Sequence, residues 1–193
     1  RDYGRDDYDN IRQAVKAVMA KAGVDLDRET VLLFEVLLDW QDGKATEIGP
    51  YCGSGDHQNG TAWVYDDERL DPRRLGDQSP GGYYGQPCSI GQFNSHYLGG
   101  IAHELGHALG LPHDREPKDD PRGTSLMGSG NHTYGQEQRG KARGTFLSAA
   151  SALPLARHPL FKGDRKHVAA SPSSRLLDCH AEFRDGQLHF SGR

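Results

Sequence analysis

Three histidines and one glutamate stand at spacings that suit metal chemistry, in the stretch His103-Glu104-Leu105-Gly106-His107-Ala108-Leu109-Gly110-Leu111-Pro112-His113. On a helix with 3.6 residues per turn, His103 and His107 place their imidazoles one above the other, where both close on one ion. Glu104 projects beside that pair, at a position where a carboxylate takes a proton from water without ligating the metal. Gly110 permits the left-handed conformation that ends a helix, and Leu111-Pro112 steer the chain so that His113 returns as a third ligand. Three neutral imidazoles with a fourth place open to water or substrate make the catalytic form of a zinc site. The five fixed positions match a random window roughly once in a few million if each residue type has a frequency near one in twenty. Surface histidines on an ordinarily capped helix do not account for that coincidence.

The helix that carries the motif is expected over residues 95–109, where Leu98, Ile101, Ala102, Leu105, Ala108 and Leu109 form one buried face and Gly110 with Pro112 stops it. Upstream, Ile11, Val15, Val18 and Met19 predict an amphipathic helix over 10–22, capped by Asp9, Asn10 and Gly23. A buried strand is expected over 30–39 and a second, with Trp63 and Tyr65, over 61–66. The Gly-, Pro- and Asp-rich stretches 43–60 and 71–85 read as long loops, which in compact domains are commonly binding walls or lids. Phe93 to Tyr97 borders the cleft in this reading, and His57 and His96 are polar loop or capping residues. Downstream, a long helix is expected over 136–153 with Pro154 as its stop. Past a spacer at 169–174, residues 176–183 and 187–190 flank an Arg184-Asp185-Gly186 turn and predict a hairpin, the start of a truncated second domain over 171–193.

With the His103-to-His113 motif, the chain resembles the metzincin clan of zinc endopeptidases, whose second signature is a methionine in a tight turn below the metal. Ser125-Leu126-Met127-Gly128 supplies it, fourteen positions after His113. The resemblance implies an α+β metzincin-like domain. A twisted mixed sheet carries a backing helix and an active-site helix, and a smaller C-terminal subdomain holds the methionine turn and a long helix. Its bounds would be 1–170, with residues 1–113 forming the upper portion and residues 114–170 the lower. It implies one catalytic Zn2+ on His103, His107 and His113, Glu104 as general base, Met127 as the floor under the ligands, and an extended peptide or protein substrate antiparallel to a sheet edge. Two departures stand out. Ser129 occupies the position where astacins and serralysins carry a tyrosine, which leaves His132 or Tyr134 to stabilise an oxyanion. Asp114 resembles the acid of the adamalysin-like branch, but that branch's cysteine pattern is missing, so the resemblance is to the clan and not to one family.

Composition narrows the alternatives. The 193 residues suit one domain with a small appendage. Twenty-three basic against 27 acidic residues, net charge −4 and interspersed, leave no basic footprint for nucleic acid. The most apolar stretch, Val31 to Trp40, is broken by Glu35 and Asp39 and is too short to span a bilayer. Three cysteines match no metal pattern, and Cys52 with Cys88 is the pairing expected if a disulfide forms, leaving Cys179 over. Asp114, Glu116, Asp119 and Asp120 fit a calcium loop less well than a solvated acidic one. The Asn131-His132-Thr133 sequon falls close to the site and is read as unused. The first residue is Arg1 with no leader pattern, so a processed fragment is expected, monomeric and secreted or periplasmic. The rival readings are a zinc amidohydrolase on a non-protein substrate and an adhesion module with a structural metal. The intact Glu104 speaks against the second.

Overall fold

The computed structural model describes residues 8–41, 44–47, 49–83, 86–141, 143–162, 179–184 and 187–192. Helix α1, Tyr8–Lys21, buries Ile11 and sets the Tyr8 ring edge-on to Trp63 at 5.7 Å. It ends as the sequence requires: Gly23 sits at φ +79, its N–H bonds to Ala20 O, and Val24 N–H reaches back to Met19 O. Three strands then form a mixed sheet in the order β1-β5-β4. Strand β1, Thr30–Glu35, runs parallel to β5, Gly60–Tyr65, and β4, Cys52–Gly55, runs antiparallel to it with Gly53 opposite Ala62. Strand β5 is central and buried along its length, which is why its apolar run does not alternate with polar residues.

Small two-stranded pieces surround this sheet: β2, Leu38–Gln41, with β3, Lys44–Glu47, and β6, Pro80–Tyr83, with β7, Gln86–Ser89. The expected strand over 30–39 is therefore two strands in different sheets, because the chain leaves β1 after Glu35. The expected loop over 43–60 contains β3 and β4. That over 71–85 contains a short 3-10 turn at Pro72–Arg74, capped by Asp71, and β6. Glycine-rich composition concealed β4: its glycines weaken strand propensity but allow a helix to approach the backbone closely.

That helix is α2, Ile90–Ala108, and it begins five residues earlier than the apolar spacing suggested. Ser89 and Gln92 form a reciprocal capping box there, so local hydrogen bonding and not the apolar stripe sets the start. His96 is thus a helix residue and not a loop or capping one, whereas His57 does lie in the tight turn from Asp56 to Asn59. Phe93 and Tyr97 pack with Tyr65 as a buried aromatic cluster flanked by Tyr51, Leu70 and Cys88.

Beyond α2, β8, Gly123–Ser125, pairs in parallel with β9, Gly144–Phe146. The long helix expected over 136–153 is absent. Gly135 and Gly140, both left-handed, bracket a 3-10 turn at Gln136–Arg139, and the chain then enters β9. Helix α3, Ala149–Arg157, starts on the Ser148 cap and runs through Pro154. That proline cannot supply the N–H due to the Ala150 carbonyl, but the helix is only nine residues long and ends soon after. A short helix α4, Pro159–Lys162, follows. The C-terminal hairpin is present as β10, Cys179–Arg184, and β11, Gln187–Gly192, three residues later in its first strand than expected. The expected spacer at 169–174 lies outside the described residues.

Cys52 and Cys88 are free thiols, which corrects the expected pairing and removes the sulfur argument for export. The physical reason is position: Cys52 is exposed on β4 near Glu104, while Cys88 packs on the aromatic cluster. Among the described residues, no helix is long and apolar enough to cross a membrane.

Candidate metal centre

Helix α2 delivers His103 and His107, and its end delivers His113. Gly110 sits at φ +80, its N–H bonds to His107 O, and Leu111 N–H bonds to Gly106 O, so two upstream carbonyls are satisfied as the helix closes. The chain then returns so that His113 Nε2 lies 3.3 Å from His103 Nε2 and 3.1 Å from His107 Nε2, while the two helical Nε2 atoms are 3.1 Å apart. His103 is buried and His113 exposed, so the cluster sits at the surface with one side inward.

The tautomer of two rings is set by their other nitrogen. His103 Nδ1 donates to Leu126 O at 2.6 Å, and His107 Nδ1 donates to Leu111 O at 2.8 Å. A carbonyl only accepts, so each Nδ1 carries a proton, and in the neutral ring each Nε2 presents its lone pair to the common centre. Lone pairs facing one another at 3.1–3.3 Å repel unless a cation lies between them. Donors at ~2.0–2.1 Å from one tetrahedral ion stand about 3.3 Å apart, so the donor set fits zinc.

Close approach holds this geometry. A Cβ on Gly53 of β4 would fall 1.9 Å from the Glu104 carbonyl oxygen and 3.0 Å from His107 Cβ. One at Gly60 of β5 would fall 1.9 Å from the Ala108 oxygen. The edge strand thus lies directly on the helix backbone beside the metal-binding turn. Burial pushes the Glu104 carboxyl above its ordinary range, against the pull of His107, the Gly53 amide and His113.

Met127 is fully buried, and a Cβ on Gly106 would meet its Sδ at 2.4 Å, so the methionine fills the space below α2 that the glycine leaves. Its turn is closed by Gly128 N–H to Ser125 O, and Asp114 N–H bonds to Met127 O, tying the turn to the residue after His113. The acids weighed for calcium turn to separate partners. Asp114 accepts from Ser148 and from Ser151 at 2.8 Å, Glu116 accepts from Ser125 N–H, and Asp120 pairs with Arg122 at 2.7 Å. Among the described residues, the three histidines are the grouping of three or more side chains suited to a metal. His132 faces His96 instead of joining that cluster, with Nδ1 to Nδ1 2.9 Å, and Tyr134 is half-buried two residues beyond.

No family model matches the sequence, and no curated protein matches it. Solved structures do. The chain is similar in fold to OgpA from Akkermansia muciniphila. Two crystal forms of wild-type OgpA give TM-scores of 0.66 and 0.67 at 24% and 25% identity, covering 96% of this chain and 48% of OgpA. The catalytically inactive form in complex with an O-glycopeptide substrate, glycodrosocin, gives 0.65 at 23% identity, covering 94% and 47%. The chain therefore spans about half the length of OgpA, and the likeness establishes a shared mixed α+β fold.

The motif itself was legible in the sequence. Gly53 and the carbonyls of Leu111 and Leu126 were not, because a backbone oxygen has no residue type and a glycine in a loop-like stretch has no signature of the helix that will lie on it. Asp114 stood next to the motif, yet its serine partners come from more than thirty residues downstream.

Proposed function

We propose that the chain is a zinc-dependent endopeptidase of metzincin type, with residues 1–113 as its upper portion, residues 114–170 as its lower portion, and export from the cell as its setting. The observation that carries this reading is the convergence of three Nε2 lone pairs, two of them fixed by carbonyls on the opposite nitrogen, beside a half-buried carboxyl. When bound, the zinc polarises the scissile carbonyl and makes a neighbouring water acidic enough to attack near neutral pH.

The chain's own residues do the rest. Glu104 takes the proton of the attacking water and returns it to the leaving amine. A carboxyl held above its ordinary range is suited to both directions, since it releases and accepts a proton closer to neutrality. Strand β4 is an edge of the sheet, and its free side offers an extended peptide an antiparallel partner next to Glu104. Because His132 is engaged with His96, Tyr134 becomes the preferred donor to the developing oxyanion. Met127 supports the ligands from below. The OgpA complex with an O-glycopeptide supports a peptide substrate and suggests testing one that bears a glycan.

Glu104→Ala tests the reading. The variant is expected to keep one zinc per chain and its melting temperature, and to lose at least the roughly 100- to 10,000-fold in peptide hydrolysis that a general base contributes. Casein, a peptide library and a matched pair of glycosylated and bare peptides serve as substrates, with and without chelator. Loss of zinc would make Glu104 a structural support; retained activity would end the proposed base chemistry. Hydrolysis of none of these substrates by zinc-loaded wild type would remove the endopeptidase reading.

A further inference from the structure

Two turns before His103 on α2, His96 meets His132, which projects from the 3-10 turn at Gly130–His132. Their Nδ1 atoms are 2.9 Å apart, their ring centroids 4.8 Å, and the planes tilt by 33°. The centroid distance falls within the 4.5–5.2 Å of the pairs inside the three-histidine cluster, while the nitrogens are closer than the 3.1–3.3 Å found there. The two rings come from separate elements that are locked together: a Cβ on Gly99 would fall 2.2 Å from Asn131 O, so the turn rests directly on the helix between His96 and His103. The edge of the His96 ring also packs against Tyr97. Seven residues of helix separate His96 from His103, which puts both on the same face about 10.5 Å apart.

We propose that His96 and His132 form a second cation site, distinct from the three-histidine centre and selective for tetragonal divalent metals, Cu2+ first and Ni2+ next. The donor type decides the class of metal. Two nitrogens at ~2.05 Å from one ion and 2.9 Å apart subtend about 90°, an angle that square-planar and tetragonal coordination accept. Imidazole nitrogen suits Cu2+, and Cu2+ leads the divalent affinity order for such ligands. Without metal, one ring donates its Nδ1 proton to the other. On loading, that proton moves to Nε2 of the same ring, both Nδ1 lone pairs face the ion, and no net charge is lost from the protein. Half-burial of His96 and the neighbouring His132 lower its pKa to about 4, so the ring is neutral and ready to ligate over the ordinary pH range. With two protein ligands and water completing the shell, this site fills after the three-histidine centre.

The test uses the whole chain, loaded with zinc and then dialysed against Cu2+ at neutral pH. Metal content and electron paramagnetic resonance are the readouts. One additional copper per chain is expected, with hyperfine splitting from two nitrogens, while Mg2+ and Ca2+ do not bind. His132 is exposed, so His132→Ala leaves the fold intact and is expected to abolish the additional copper while keeping the zinc. A His103→Ala/His107→Ala double variant, which leaves a single imidazole in the three-histidine centre, is expected to keep the two-nitrogen copper signal, so failure of the proposed zinc centre and failure of this site read out separately. Absence of copper beyond the first metal in the wild type, or an unchanged copper count and spectrum in His132→Ala, overturns the proposal.

Discussion

Gly53→Ala adds one methyl group at the point where β4 touches α2, and its consequences follow from distances. The new Cβ would stand 1.9 Å from the Glu104 carbonyl oxygen, a backbone atom that no side-chain rotation moves. Restoring an ordinary contact of about 3.4 Å requires strand and helix to separate by roughly 1.5 Å in a packed region. Overpacking of this kind costs about 1–3 kcal/mol, offset by about 0.4–1 kcal/mol because alanine restricts the unfolded chain. The net loss of about 0–2.6 kcal/mol lowers the melting temperature of a chain this size by up to roughly 10 °C. Activity is expected to fall further than stability. The separation takes the Gly53 amide from the Glu104 carboxyl and shifts the backbone that carries His107, and a 1 Å misplacement of reacting groups is worth about 100-fold. Losing that amide raises the Glu104 pKa further, so the acid limb of the kcat/KM profile moves to higher pH. Thermal unfolding, zinc content and peptide hydrolysis across pH measure all three effects. Gly82→Ala is the control, since a Cβ there meets nothing within 4 Å. A Gly53→Ala protein with wild-type melting temperature and wild-type hydrolysis would show that close strand-to-helix packing does not hold the site.

The remaining predictions concern the floor, the acid limit and the thiols. Met127→Ala opens a cavity under Gly106 and is expected to cost about 2–5 kcal/mol in denaturant unfolding, whereas Met127→Leu, which conserves volume, stays under about 1.5 kcal/mol. Asp120, held by Arg122, Asp71, held by Arg73, and Asp77, held by Ser79 and Arg74, titrate at about 2 in the fold. Their pKa values are depressed, so their contribution is complete above the ordinary value of 3.8 and disappears as pH falls from there to about 2. The melting temperature is expected to drop through that window, and less steeply in Asp120→Asn. For the thiols, partial desolvation of the sulfur and the Glu104 charge raise the pKa of Cys52, so an aromatic disulfide reagent is expected to react slowly there although the residue is exposed, and faster in Glu104→Gln.

What the sequence by itself determined is local. The i, i+4 spacing of His103 and His107, the glycine that ends their helix and the return to His113 are consequences of helical pitch and of glycine's access to positive φ, and both are written in a few consecutive residues. The same holds for the Gly23 cap of α1 and for β5, whose apolar run is short and bounded. Tertiary structure alone decided the rest. Whether Gly53 belongs to a loop or to an edge strand depends on β5 being there to pair with it, and the 136–153 stretch, helical in its spacing, yields to two left-handed glycines and to the pairing of β9 with β8. Cys52 and Cys88 share a glycine-rich half of the chain yet pack in different surroundings, because sequence proximity sets no direction for a side chain. His96 and His132, 36 residues apart, meet only because Gly99 lets a turn rest on the helix, a contact between backbones that no pattern of residue types encodes.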